Sequence, residues 1–183
     1  MIRRSLLPLV AAVLAFAGCA DRMEAPLSPA ESGPDYSLTS GSIDTNGVLE
    51  FAALPDLSRN RHAEKWIAAA EGGSVELNGF RVDIPAGALP YDALVTIDLP
   101  KDELLGKRVV AEFGPHAIQF STPVKISFPL EGVLLTGQAI QVSRWENNAW
   151  TPLGGSVSAD GKTLSSTTPH FSAYGGTVVA GGG

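Results

Sequence analysis

The sequence is poor in cysteine, in histidine and in positive charge. It contains 1 Cys and 3 His among 183 residues, and its 13 Lys and Arg stand against 19 Asp and Glu, for a formal net charge of −6. A single cysteine excludes an internal disulfide framework. An acidic chain without a basic run argues against a nucleic-acid partner. Because His116 has no second His, Cys or paired carboxylate spaced to join it, we expect no metal site. We also expect no cofactor.

Long apolar runs are also missing, apart from one near the N-terminus. Leu6 to Ala17 form an apolar stretch that is too short to span a bilayer stably but has the size of a signal-peptide core. The segment Met1-Ile2-Arg3-Arg4 places positive charge before it. Residues 1–18 are therefore predicted to be an export signal.

The only cysteine stands at the end of this apolar run. Phe16-Ala17-Gly18-Cys19 resembles the bacterial lipobox, in which signal peptidase cuts before the cysteine and the new N-terminal Cys carries lipid such as palmitate, although Phe16 departs from the usual Leu. Plain secretion after Ala15-Phe16-Ala17 is the alternative, but a cysteine without a disulfide partner favours lipidation. The resemblance implies that Cys19 anchors an extracytoplasmic lipoprotein to a membrane. Ala20, in place of the Asp that marks inner-membrane retention, favours the outer membrane in a cell that has one.

Composition divides the rest of the chain. Residues 19–47 are rich in Pro, Ser, Gly and acidic residues, and they cannot bury enough apolar surface to offset the entropy of ordering them. We interpret them as a flexible tether behind Cys19. Residues 48–64 are a poorly defined lead-in, since Val48-Leu49-Glu50-Phe51 is compatible with an added strand or with cover for a sheet edge. Residues 65–179 carry the folded domain, and residues 180–183 are a Gly-rich tail.

Short alternating segments dominate this domain. Residues 74–77 lead into Asn78-Gly79, the dipeptide best suited to the positive φ angles of a type I′ turn, and residues 80–84 then alternate apolar and charged. Asn147-Asn148 and Asp160-Gly161 are predicted turns as well. Strands so short, separated by Gly, Pro, Asn and Asp, predict an all-β fold with an antiparallel β-sandwich. The other predicted strands are residues 95–99, 124–128, 140–145, 149–153, 156–158 and 162–167.

Two phrases in this pattern resemble a known family. Val-Asp-Ile-Pro-Ala-Gly-Ala-Leu at 82–89 and Val-Val-Ala-Glu-Phe-Gly-Pro-His-Ala-Ile-Gln-Phe-Ser-Thr-Pro-Val at 109–124 resemble the ZU5 domain of ankyrins, netrin receptors and the death-domain protein PIDD, and especially its bacterial relatives. The resemblance covers residues 65–179 and implies a ZU5-like β-sandwich, although Ala117 replaces the usual Gly. It also implies a strand at residues 63–71, where composition alone favours a helix. The family's partners do not follow from its fold, so we expect an unknown protein or glycan partner.

Three tryptophans and one histidine are further candidates for binding. Trp66, Trp145 and Trp150 are predicted to serve core and hairpin packing, with an aromatic ligand patch of the kind found in carbohydrate modules as the alternative. His116 is predicted to be structural or at the surface, and not a metal ligand.

Near the end of the chain stands the phrase His170-Phe171-Ser172-Ala173-Tyr174. It resembles the His-Phe-Ser self-cleavage motif of PIDD and some other ZU5 proteins, and the related motif of GAIN domains, which implies a scissile bond between Phe171 and Ser172. In a strand, residues two apart share a face, so His170 is expected beside Ser172. His170 then acts as general base, and Ser172 is the nucleophile that attacks the Phe171 carbonyl carbon.

An ordinary terminal strand explains the same phrase without any reaction. Such a strand begins at Pro169, with Phe171 and Ala173 facing the core. His170, Ser172 and Tyr174 then lie on its other face. We therefore expect no enzymatic activity beyond, at most, a single-turnover autoproteolysis, and we favour a lipid-anchored binding or structural module of the cell envelope.

Overall fold

Eleven β-strands and one short helix make up the described part of the chain. The computed structural model describes residues 44–53, 55–56, 60–101, 103–116 and 118–179. The predicted export signal, Cys19, most of the predicted tether and the predicted tail lie outside these residues. The elements are β1 (His62–Ile67), β2 (Gly73–Leu77), β3 (Phe80–Ile84), β4 (Ala93–Asp98), α1 (Glu103–Gly106), β5 (Val110–Gly114), β6 (Gln119–Pro129), β7 (Ile140–Glu146), β8 (Ala149–Gly154), β9 (Ser156–Val157), β10 (Thr163–His170) and β11 (Ala173–Val178).

The strands form two sheets that pack against each other. The six-stranded sheet has the order β1-β4-β5-β11-β7-β8, and the five-stranded sheet has the order β2-β3-β6-β10-β9. Neighbouring strands are antiparallel throughout both sheets. The predicted all-β antiparallel sandwich is confirmed.

Local turn chemistry sets two of the hairpins. Asn78 with φ 51° and Gly79 with φ 86° turn β2 into β3. Asn147 with φ 51° and Asn148 with φ 60° turn β7 into β8. These positive φ angles confirm both predicted turns. Gly and Asn form them because they enter the left-handed region more easily than other residues do.

The core lies between the sheets and is built from alternate residues of the strands. Val82 of β3, Val95 of β4 and Ile126 of β6 are each fully buried. Phe113 of β5 lies edge-on to Phe128 of the opposite sheet, with ring centroids 6.1 Å apart. It is also edge-on to Tyr174, at 6.0 Å. This row of rings connects the two sheets near the start of β11.

In β1, pairing with β4 overrides the helix propensity of the residues. Residues 63–67 are strand, because each residue from His62 to Ile67 pairs with a residue of β4. The strand that the resemblance implied is confirmed over these residues, and a turn follows at 69–71. β1 is an edge strand, and 64 % of Trp66 is exposed while its neighbour Ile67 is 2 % exposed. The predicted packing role of Trp66 is therefore wrong, since the alternation of the strand turns Trp66 outward.

Residues 44–53, called the strap below, run beside β11. The backbone N–H of Leu49 donates to the carbonyl of Gly176 at 2.8 Å, and the carbonyl of Leu49 accepts from the N–H of Val109 at 3.0 Å. β5 pairs with β11 only as far as Gly175, so the strap continues the sheet where β5 is missing. Val48 and Leu49 are buried at 5 % and 4 % exposure. The part of the lead-in whose role the sequence left open is thus integrated into the sandwich.

Trp145 and Trp150 face each other across the β7–β8 hairpin, with ring centroids 5.2 Å apart. The indole N–H of Trp150 donates to the backbone carbonyl of Asp44 in the strap at 2.5 Å. For this pair the predicted hairpin packing is confirmed. The two rings pack against a small second cluster of buried residues, Val48, Leu105, Val110 and Ala173.

Candidate functional site

The phrase His170-Phe171-Ser172 forms the crossing between the two sheets. β10, in the five-stranded sheet, ends at His170, and β11, in the six-stranded sheet, begins at Ala173. The expectation of one continuous terminal strand is therefore wrong. The pairing of β10 with β6 shifts register between Thr168 and His170, around a proline that has no N–H to donate. The chain leaves one sheet at this irregularity and enters the other.

Both Phe171 and Tyr174 point into the core at this crossing. Phe171 is 2 % exposed and lies edge-on to Phe120, with ring centroids 4.7 Å apart and an interplanar angle of 84°. Tyr174 is fully buried, although a flat strand would have put it on the face away from Phe171. The two buried rings fix the backbone on either side of Ser172.

The His170 ring is held at both nitrogens. Its Nε2 lies 2.7 Å from an Nη1 of Arg144, and its Nδ1 lies 2.9 Å from the carbonyl oxygen of Phe171. A guanidinium can only donate, so Nε2 must accept, and the ring proton then resides on Nδ1 and is donated to the Phe171 carbonyl. The carbonyl of the candidate scissile bond is therefore hydrogen-bonded by His170.

Arg144 lies on β7, opposite Tyr174 of β11. Its Nη2 contacts the carboxylate of Glu146 at 2.5 Å, and its side chain is only 17 % exposed. The hydrogen bond from Arg144, followed by one from Thr151, holds the pKa of Glu146 below its ordinary value. Glu146 therefore stays ionised and keeps the guanidinium oriented toward His170.

The backbone carbonyl of His170 is fixed by two buried hydroxyls. Tyr174 donates to it at 2.6 Å, and Thr168 lies 2.9 Å from the same oxygen and 2.7 Å from the Tyr174 hydroxyl. Thr168 and Tyr174 are both fully buried. Burial raises the pKa of Tyr174 to about 12, so this phenol remains a neutral donor at physiological pH.

The Ser172 hydroxyl is hydrogen-bonded to a backbone carbonyl and not to the His170 ring. Its Oγ donates to the carbonyl of Trp145 at 3.5 Å, and its own carbonyl accepts from the N–H of Phe113 at 3.0 Å. The contact between His170 and the Ser172 hydroxyl that a flat strand predicts is replaced by the contact with the Phe171 carbonyl. In this conformation, the geometry makes His170 a hydrogen-bond donor to the candidate scissile bond and not a base on its nucleophile.

Two other histidines lie elsewhere. The Nε2 of His116 is 3.0 Å from Glu112, with both side chains mostly buried. His62 lies at the surface, 2.8 Å from Asp98, and the hydrogen bond that its ring donates to that carboxylate raises the pKa of His62 above its ordinary value. Within the residues that the structure describes, no three His, Cys, Asp or Glu side chains are grouped so that they could hold a metal ion.

Sequence reasoning located His170, Phe171 and Ser172 but missed the residues that surround them. Arg144 and Glu146 belong to a strand that is distant in sequence, and no pattern in the chain shows that β7 pairs with β11. Thr168 and Tyr174 flank the phrase closely. The alternation expected from sequence put Tyr174 on the face away from the core, so its buried contact with Thr168 was not predicted.

Comparisons with known proteins found no relative that adds to the description of the fold. No protein-family model matches the chain, and no curated protein matches it either. Among the described residues, no helix has the length and apolar character needed to cross a membrane. The chain belongs to the class of all-β antiparallel sandwich proteins, and a buried polar network surrounds the crossing between its sheets.

Proposed function

We propose that this chain is a lipid-anchored cell-envelope protein whose ZU5-like β-sandwich is a binding or structural module. The anchor is supported by the sequence, where the only cysteine, Cys19, ends the N-terminal apolar run. Each buried methylene of a lipid contributes about 0.8 kcal/mol, and two chains are needed for stable attachment. Lipidated Cys19 therefore holds the protein on a membrane durably, with its sandwich outside the cytoplasm.

The observation that carries the binding role is the exposed Trp66. It lies on the edge strand β1 with 64 % of its surface exposed, directly opposite Leu94, which is 41 % exposed. Trp is enriched among residues that dominate binding energy, because its ring combines a large apolar area with one polar N–H. An edge strand also offers unpaired backbone groups to a partner. The Trp66 face of β1 is therefore the contact surface for a protein or glycan of the envelope.

The anchor is tested by Cys19→Ser. Wild-type protein will incorporate radioactive palmitate and sediment with membranes, because the Cys19 thiol accepts the lipid. The Cys19→Ser variant will incorporate no label and will appear in the soluble fraction. Equal labelling of the two proteins contradicts the anchor.

The contact surface is tested with Trp66→Ala in the soluble Cys19→Ser background, by binding to isolated envelopes of the native cell. Truncation of a central aromatic residue weakens binding by about 10-fold or more, equivalent to about 1.4 kcal/mol. Leu134→Ala is the matched control, since Leu134 is 54 % exposed beside the strap. Both substitutions will leave the free energy of unfolding within about 0.5 kcal/mol of the parent value. Equal binding of the two variants rules out the Trp66 face as the contact.

A second candidate function is self-processing at the bond between Phe171 and Ser172. It is favoured by the 2.9 Å contact between His170 Nδ1 and the Phe171 carbonyl oxygen. In this reaction Ser172 Oγ bonds to the Phe171 carbonyl carbon, the C–N bond breaks, and the hydroxyl proton ends on the Ser172 nitrogen as part of a free amine. Water then hydrolyses the ester, leaving a carboxylate on Phe171 and restoring the Ser172 hydroxyl.

Intact-mass analysis under denaturing conditions tests this candidate. A processed protein gives two fragments, one ending at Phe171 and one beginning at Ser172, whose masses together exceed that of the uncut chain by one water molecule. Ser172→Ala will remain a single species, because it has no nucleophile. A wild-type protein that also stays uncut during prolonged incubation removes self-processing from consideration.

A further inference from the structure

We propose that Arg144 is a positioning residue that fixes His170 as the Nδ1–H tautomer and directs this proton at the Phe171 carbonyl. His170 is then the electrophilic donor of the self-processing reaction, in place of the general base that the motif alone implies. The catalytic part of this inference rests on the second candidate function. The tautomer itself does not, and it is measurable in a protein that is never cut.

Hydrogen bonds link Glu146, Arg144, His170 and the Phe171 carbonyl in one chain of donors and acceptors. Glu146 accepts from Arg144 Nη2 at 2.5 Å, and Arg144 Nη1 donates to His170 Nε2 at 2.7 Å. Because Arg stays protonated at all accessible pH values, its N–H groups cannot accept, and Nε2 must carry a lone pair. The remaining ring proton is on Nδ1, which lies 2.9 Å from the Phe171 oxygen. Each link in this chain has only one chemically allowed direction.

Both ends of this chain of hydrogen bonds are held by the fold. Arg144 and Glu146 are two residues apart on β7 and so share one face of the strand. The backbone of His170 is held at its carbonyl by Tyr174 and Thr168. To turn toward Ser172, the imidazole would have to leave both Arg144 and the Phe171 carbonyl. The fold therefore stabilises the donor orientation of His170 in a site that is only partly open to water.

His170 donates to the oxygen atom on which negative charge forms during cleavage. Attack by Ser172 Oγ converts the Phe171 carbonyl oxygen into an oxyanion, and a donor already placed on that oxygen stabilises the negative charge as it forms. Loss of one such donor typically slows acyl transfer by about 100- to 1000-fold. The Trp145 carbonyl orients the Ser172 hydroxyl, and a solvent water carries the hydroxyl proton to the Ser172 nitrogen, so His170 keeps its own proton throughout.

Two substitutions at His170 separate a donor from a base. In His170→Gln, the side-chain amide can donate a hydrogen bond but cannot take up a proton at neutral pH. His170→Ala can do neither. A donor role predicts that His170→Gln keeps cleavage within about 10-fold of wild type while His170→Ala loses about 100-fold or more. Equal loss in the two variants overturns the donor role and restores the base.

The positioning role is measured at Arg144 in the full chain carrying Cys19→Ser. Two-bond 1H–15N spectra of the imidazole will show His170 as the Nδ1–H tautomer, and Arg144→Met will lose this signature and slow cleavage by about 100-fold. Arg144→Lys keeps a donor for Nε2 and will restore much of both. Arg81→Met is the control. Arg81 lies on β3, in the other sheet, and pairs with Asp83 of the same strand and Glu76 of β2. An Nε2–H tautomer in the parent, or an unchanged spectrum in Arg144→Met, overturns the positioning role.

The two readouts separate failure of the inference from failure of self-processing. If the parent is never cut, self-processing and the donor role both fall, and the spectra still decide whether Arg144 sets the tautomer. If the parent is cut but shows the Nε2–H tautomer, self-processing stands and the inference falls.

Discussion

Gly72→Ala is expected to destabilise the sandwich by about 3–5 kcal/mol, whereas Gly87→Ala is expected to cost about 1–2 kcal/mol. Both glycines have left-handed backbones, with φ +68° at Gly72 and φ +75° at Gly87. They differ in their surroundings. A Cβ at Gly72 would lie 2.3 Å from the carbonyl oxygen of Ile84 and 2.7 Å from the backbone nitrogen of Ala86, whereas a Cβ at Gly87 would meet nothing within 4 Å.

The difference between these two variants isolates the backbone contact. An L-residue in the left-handed region costs about 1–2 kcal/mol at either position. The additional cost at Gly72 arises because Ile84 and Ala86 are backbone neighbours that cannot rotate away as a side chain can. Urea unfolding monitored by tryptophan fluorescence will give the two free energies, with equal m-values as the check on a two-state comparison. Similar losses of unfolding free energy in the two variants would show that the backbone around Gly72, directly before β2, moves aside for a methyl group at no additional cost.

The parts of the fold that were predictable from sequence depend on neighbours in the chain. Asn78 and Gly79 determine a turn because their own φ preferences select it, and the flanking alternation then places Val82 and Ile84 inward. Trp66 was mispredicted because a large apolar residue was assigned to packing by its type. Its orientation depends on the register of β1 against β4, and this register puts Ile67 in the core.

The candidate site was less accessible to sequence reasoning, for a related reason. The phrase at 170–172 was recognisable, but its conformation depends on the register shift beside Pro169 and on the burial of Phe171, in the crossing, and of Tyr174, in β11. The partner of the His170 ring, Arg144, lies on β7, which is the neighbour of β11 on the side away from β5. Such a contact follows from strand order, and strand order between non-consecutive strands leaves little trace in a single sequence.

The strap offers the second large effect, because Leu49 lies where Gly176 leaves room for it. Leu49 is 4 % exposed, and a Cβ built on Gly176 would lie 2.9 Å from its Cδ1. Leu49→Ala removes these buried atoms and is expected to cost about 2–5 kcal/mol. Gly176→Ala crowds the same space and is expected to cost about 1–3 kcal/mol. Leu134→Ala, on a leucine that is 54 % exposed, serves as the control and will change stability by less than about 0.5 kcal/mol.

The double variant decides whether the strap is an integral part of the sandwich. If Leu49 and Gly176 share one space, the methyl group of Gly176→Ala occupies part of the cavity that Leu49→Ala creates. The double variant will then be more stable than the sum of the single losses predicts, by about 1 kcal/mol or more. Additive losses would mean that the two residues act independently, and a loss near zero for Leu49→Ala would mean that the strap detaches at little cost. A measured coupling would mean that packing by the strap stabilises β11. Because β11 begins directly after Ser172, the strap then also helps to hold the candidate site.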